Sequence, residues 1–174
     1  MKRLLFLAMA GLAAVLQNLV HELAHLAAAL FFGVPVLEFR FLTNGWGTSQ
    51  VIFETPLAER TGWQWLVIAL LPSALTVLLG YLIYLNRNRW LTRIPLVNLL
   101  LWYVGVFFLF VDPLYIGGLS FFLGGDVNVL TAFHLSPWIA RLPALFLLLV
   151  NCRLILRWRA EARTVNAQYF NLGF

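Results

Sequence analysis

Five consecutive residues, His21-Glu22-Leu23-Ala24-His25, carry the densest chemistry in this chain. HExxH on a helix sets two imidazoles one turn apart with a carboxylate beside them, the signature of a helical zinc hydrolase. At ~100° per residue the histidines lie ~40° apart around the axis, so one tetrahedral ion can take both. Glu22 suits the base role, because a metal-bound water whose pKa falls towards ~7 needs a neighbouring carboxylate to accept its proton. The setting sharpens the point, since the motif lies in a run that is otherwise apolar from Leu4 to Phe32. A charged group at mid-bilayer costs roughly 2.5–3.5 kcal/mol on insertion scales, so such groups persist where they bind something. The plain alternative is a polar helix–helix seam with no metal. Haem is a poor rival, because two histidines on one helix face cannot be opposite axial ligands of one iron.

The helix that carries the motif divides into two faces. Ala10, Gly11, Ala14, Gln17, Asn18, His21, Glu22, His25, Ala28 and Ala29 share less than half the circumference, and Leu12, Val15, Leu16, Leu19, Leu23, Leu26 and Leu30 fill the rest. Small residues let membrane helices approach closely, so the small and polar face is expected to point inward. Gln17 and Asn18, one turn before His21, are placed to orient the imidazoles, to bind substrate backbone or to bond neighbouring helices.

The rest of the chain must hold this helix in a bilayer. Of 174 residues 62% are hydrophobic and only 11% charged, where a soluble domain is nearer a quarter. The expected fold is an all-α membrane protein of about four transmembrane helices, over Leu4–Phe32, Trp63–Leu85, Ile94–Ile116 and Trp138–Leu156. Residues 1–158 make a single domain and 159–174 a polar cytoplasmic tail. Nine of the twelve basic residues fall before span one, between spans two and three, or at and after the end of span four; only Arg40, Arg60 and Arg141 lie on the other side. The positive-inside rule therefore puts both termini in the cytoplasm of a multi-pass protein, and the net charge of +5 reads as topology, not as nucleic-acid binding. A cleaved signal peptide is disfavoured because the apolar run continues long past Ala8-Met9-Ala10. The single cysteine, Cys152, excludes an internal disulfide.

Between spans one and two, Val36–Glu54 has strand character. Leu37, Phe39 and Phe41 alternate with Glu38 and Arg40, Asn44-Gly45 is a hairpin turn signal, and Val51-Ile52-Phe53 supplies a second strand. A small membrane-associated β-hairpin after the first helix is expected. Pro72 interrupts span two, and Gly117-Gly118 and Gly124-Gly125 punctuate the link after span three; broken helices at membrane depth line cavities or pack in protein.

With HExxH in a membrane helix, Gly33-Val34-Pro35-Val36, Gly45-Trp46-Gly47-Thr48 and Gly124-Gly125-Asp126-Val127-Asn128-Val129-Leu130, the chain resembles the site-2 protease family of intramembrane zinc metalloproteases, in its small prokaryotic form. The resemblance spans residues 15–140 and rests on HExxH above all. It implies a prokaryotic cell membrane, a Zn2+ cofactor, a β-element beside the active site, and a transmembrane protein as substrate in the lipid bilayer. It also implies that a distant Asp completes the metal site beside His21 and His25, with Glu22 catalytic. The family's Leu-Asp-Gly order is absent, since both glycines precede Asp126. Asp126 better matches the family position, whereas Asp112 matches His21 in depth along its span. Their plain roles are helix cap and turn residue. His134 stands as a further ligand candidate or a surface residue. The implied function is an endopeptidase cleaving in or near transmembrane segments, its substrate choice resting on the membrane domain, because no link is long enough for a PDZ-like insertion. The alternative is a non-proteolytic zinc-binding membrane protein: a sensor, a chaperone or an inactive substrate-binding homologue.

Overall fold

The computed structural model describes residues 2–42 and 49–165. Helix α1 runs Lys2–Phe31, strands β1 and β2 cover Val36–Arg40 and Gln50–Phe53, and helix α2 covers Trp63–Asn86. Helix α3 spans Pro95–Leu114 and passes through a π-turn, Tyr115–Leu119, into a last turn, α4, Ser120–Leu123. A 3-10 turn at Asp126–Asn128 leads into the short α5, Val129–Ala132, and α6 closes the fold over Trp138–Val165. Four helical stretches are long and apolar enough to cross a membrane: Leu4–Phe31, Trp63–Asn86, Pro95–Leu123 and Trp138–Glu161. Large apolar side chains such as Leu30, Phe31, Leu85, Phe146 and Leu149 stand exposed along them, as lipid-facing residues of a multi-pass membrane protein do.

Helices α2 and α3 form the centre, with α1 packed on both and α6 packed on α3 and its π-turn. Span three outruns the expected end at Ile116 because the π-turn absorbs Gly117-Gly118 without breaking the helix. A π-bulge of this kind is a frequent accompaniment of functional sites. Gly117 lies against Leu145 of α6, where a Cβ would crowd that side chain. The interior face of α1 carries Ala13, Gln17, His21, Ala24, His25, Ala28 and Ala29, all buried, whereas Gly11 is exposed. The expected small-residue face is thus rotated in its first half. The reason is that α1 meets its neighbours along an i, i+4 row through Ala13, Gln17 and His21.

The hairpin is antiparallel, with Val36 opposite Phe53, Phe39 opposite Val51 and Arg40 opposite Gln50, and an irregularity between Val36 and Glu38. The Asn44-Gly45 turn and the Gly45-Trp46-Gly47-Thr48 segment lie outside the described residues. Helix α6 runs on to Val165, into the stretch that polarity sets apart as a tail.

Pro113 lies inside α3 and has no N–H for the carbonyl of Leu109, one turn earlier. Asn151 of α6 fills the gap: its Nδ2 donates to Leu109 C=O at 2.6 Å, while its Oδ1 accepts the Tyr81 hydroxyl at 2.6 Å. Asn151 is fully buried, so no water can substitute for it. Replacing it with Leu is expected to lower stability by about 1–2 kcal/mol, within the range for orphaned polar groups in membrane bundles. Unfolding titrations in detergent micelles read this directly, and an unchanged midpoint would mean that the carbonyl finds another donor.

Candidate metal centre

His21 and His25 project from one face of α1 into the interior, both buried, with Nε2 atoms 3.1 Å apart and rings at 71° to each other. Asp126, more than a hundred residues away, is brought against both. Its Oδ2 lies 3.2 Å from His21 Nε2 and its Oδ1 lies 3.3 Å from His25 Nε2. Two glycines make this placement possible. Gly124 and Gly125 both have positive φ, +68° and +86°, and a Cβ on Gly125 would fall on the Tyr115 hydroxyl. Tyr115 in turn donates to Gly124 C=O at 3.3 Å. Gly125→Ala is therefore expected to displace Asp126 and to lower metal content about tenfold or more, on the scale of losing a partner that orients the site. Metal analysis of the purified variant checks it, and wild-type content would mean that the loop does not set Asp126.

The other nitrogen of each ring is also engaged. His25 Nδ1 lies 2.7 Å from the backbone carbonyl of Ile68 in α2. A carbonyl only accepts, so His25 Nδ1 carries a hydrogen, and in the neutral ring Nε2 then presents a bare electron pair. His21 Nδ1 lies 3.1 Å from Oδ1 of the buried Asp112, at an angle short of a hydrogen bond. The Thr76 hydroxyl donates to the other oxygen of Asp112. Asp112 thus sits within α3 as a helix-to-helix contact, not in a turn. A carbonyl that accepts from the far nitrogen of a metal-binding imidazole fixes ring orientation and tautomer, as Ile68 C=O does for His25, while Asp112 sets a negative charge beside His21 Nδ1.

The electrostatics follow. Burial pushes the Asp126 carboxyl up, but its contacts to His21 and His25 outweigh burial and hold it below the usual carboxylate range. Two imidazole nitrogens and an ionised carboxylate therefore converge within 3.1–3.3 Å of one another. Bare electron pairs at this spacing repel one another, so the cluster needs either a shared proton, as the His21 Nε2–Asp126 contact allows, or a bound cation among them. For a tetrahedral ion with bonds of about 2.0–2.1 Å the donor–donor edge is about 3.3–3.4 Å, close to the spacing here. His21, Glu22 and His25 also offer ligand atoms within 4.8 Å of one another, so this corner of α1 could hold a metal ion.

Glu22 is the member that faces the hairpin. Its Oε2 accepts the Val51 N–H at 2.9 Å, and Asn18 Oδ1, one turn earlier, accepts the Ser49 N–H at 2.6 Å. Residues 49 and 51 point the same way in an extended chain, so the free edge of β2 lies on the polar stripe of α1. Together these groups border a cavity of about 980 Å3, which also reaches Arg60, Tyr115 and Asp126. The Arg60 guanidinium lies 5.0 Å and 4.8 Å from the ring centres of Phe53 and Trp65, and its Nε donates to Thr55 C=O at 3.0 Å. It brings a cation to a cavity whose three acids are Glu22, Asp112 and Asp126. Burial lowers its pKa, and the charge of Asp126 works against that shift.

His21, Glu22, His25 and Asp126 thus share one cavity, with Asp112 behind His21. His134 does not border the cavity; it is exposed, in a left-handed turn at φ 55°. Thr76, Tyr115 and the Ile68 carbonyl were not singled out from sequence. Tyr115 and Thr76 carry no motif, and a backbone carbonyl leaves no trace in residue type. No protein-family model, curated protein or solved structure matches the chain.

Proposed function

We propose that the protein is an intramembrane zinc metalloendopeptidase of the site-2 protease type, hydrolysing peptide bonds in or near transmembrane segments of other proteins. The observation that carries this reading is the meeting of Asp126 with both histidine Nε2 atoms beside Glu22 in a cavity flanked by a strand edge. His21, His25 and Asp126 would hold the ion, and Asp112 and Ile68 C=O would orient the two rings. When bound, zinc supplies a water of lowered pKa and polarises the scissile carbonyl. Glu22 accepts the proton of the attacking water and returns it to the departing amine nitrogen.

The strand edge deals with the substrate's own structure. A peptide bond within a helix is shielded, so the substrate must be extended before attack, and a strand edge can hold an extended chain by main-chain hydrogen bonds. In the resting protein Val51 N–H lies on Glu22 and Ser49 N–H lies on Asn18. A substrate strand entering between α1 and β2 takes over these donors and leaves the Glu22 carboxylate available for the proton. The distribution of Lys and Arg supports cytoplasmic termini, and the prokaryotic cell membrane rests on the family resemblance alone.

Purified protein is expected to contain about one zinc per chain and to cleave a model transmembrane substrate in a chelator-sensitive manner. The Val51–Glu22 bond favours a second reading, in which the strand keeps Glu22 occupied and the protein binds zinc without proteolysis. Bound zinc with no cleavage across a broad panel of transmembrane substrates would select that reading.

A further inference from the structure

We infer that Pro72 is a positioning residue of the metal centre: by lacking an N–H, it releases the Ile68 carbonyl of α2 to accept the Nδ1–H of His25. This rests on the reading of His25 as a metal ligand. In an α-helix the carbonyl of residue 68 accepts from the N–H of residue 72. Here residue 72 is proline, so that bond cannot form, and the ring also crowds the carbonyl one turn earlier and tilts it off the helix axis. Helix α2 nevertheless continues from Trp63 to Asn86, so the gap lies within an intact helix. Ile68 and Pro72 are both essentially inaccessible. A carbonyl left bare at that depth is costly, and neighbouring groups are the means by which membrane helices tolerate proline.

The donor that takes the vacated place is His25 Nδ1, at 2.7 Å. The exchange serves both partners. The carbonyl is satisfied, and the imidazole gains an acceptor that no helix N–H contests, which fixes its Nε2 as the bare nitrogen towards His21 and Asp126. Within the same molecule Pro113 frees Leu109 C=O, and there the captor is Asn151 at 2.6 Å. The same device thus serves packing in α3 and the metal centre in α2. Pro143 of α6 is the contrasting case. It is exposed, and among the described residues no side chain donates to the Ile139 carbonyl behind it.

The full chain, labelled with 15N-histidine in micelles, tests the inference, with His25 assigned from the spectrum of His25→Gln. Wild type and Pro143→Ala should show a downfield, slowly exchanging His25 Nδ1–H. Pro72→Ala should lose it with helicity unchanged, and its Zn2+ Kd against a competing chelator should rise about tenfold, as for other partners that orient a ligand. Pro72→Ala with the wild-type His25 signal and a Kd within twofold of wild type would overturn the inference. Should Pro72→Ala fail to fold, the metal-free wild-type spectrum decides, because a His25 without a hydrogen-bonded Nδ1–H refutes it. Failure of wild type to bind zinc instead overturns the metalloprotease reading, and the His25 signal then still decides the role of Pro72.

Discussion

Glu22→Gln is expected to abolish cleavage of a transmembrane substrate while leaving the bound metal in place. Glutamine keeps the shape of glutamate and a carbonyl oxygen that can still accept the Val51 N–H, so the junction of β2 with α1 should survive. What is lost is the group that takes a proton. General-base catalysis contributes roughly 10²–10⁴-fold, and the turnover of the variant should fall by at least the lower figure. Metal content should not follow it, because the donors converging at 3.1–3.3 Å belong to His21, His25 and Asp126. Cleavage kinetics and metal analysis on one preparation separate the outcomes. Cleavage within tenfold of wild type would remove Glu22 from the proton-transfer role. Joint loss of metal and activity would make Glu22 a ligand, an arrangement that the 4.8 Å grouping of His21, Glu22 and His25 also permits.

The two aspartates beside His21 should respond unequally. Asp126 touches both Nε2 atoms, whereas Asp112 lies behind His21 on the Nδ1 side and is held by Thr76. Asp126→Ala removes a proposed donor, and zinc affinity should drop by more than about 100-fold, beyond what loss of an orienting partner costs. Asp112→Ala leaves the three donors and loosens one ring, so a fall of about 10-fold is expected. Thr76→Val, which removes the hydroxyl donated to Asp112, should follow Asp112→Ala in direction with a smaller effect. Chelator competition gives all three constants. If Asp112→Ala proved the more damaging, the ion would sit on the other side of His21 and the proposed ligand set would be wrong.

The sequence carried the helices because they are long apolar runs that nothing but a bilayer accommodates, and it carried the hairpin because Leu37, Phe39 and Phe41 alternate with Glu38 and Arg40. Its end points were less legible. Gly117-Gly118 reads as a break, yet a π-turn carries α3 through it. Depth along a span favoured Asp112, and the Gly-Gly context favoured Asp126. The folded chain sets both carboxylates around His21, at 3.1 Å and 3.2 Å, on its different nitrogens.

Local chemistry determined which groups lie together on one turn: the 3.6-residue repeat obliges His21, Glu22 and His25 to share a corner of α1 in any fold that keeps the helix. Everything that gives those groups a direction came from other elements. Asp126 arrives through two left-handed glycines, the Val51 N–H through the register of β2, and the Ile68 carbonyl through a proline in α2. A hydrogen bond is directional and acts over about 3 Å. Partners at that range from distant parts of the chain are set by how helices pack, and helix packing is a property of the assembled surfaces that no single stretch of residues contains.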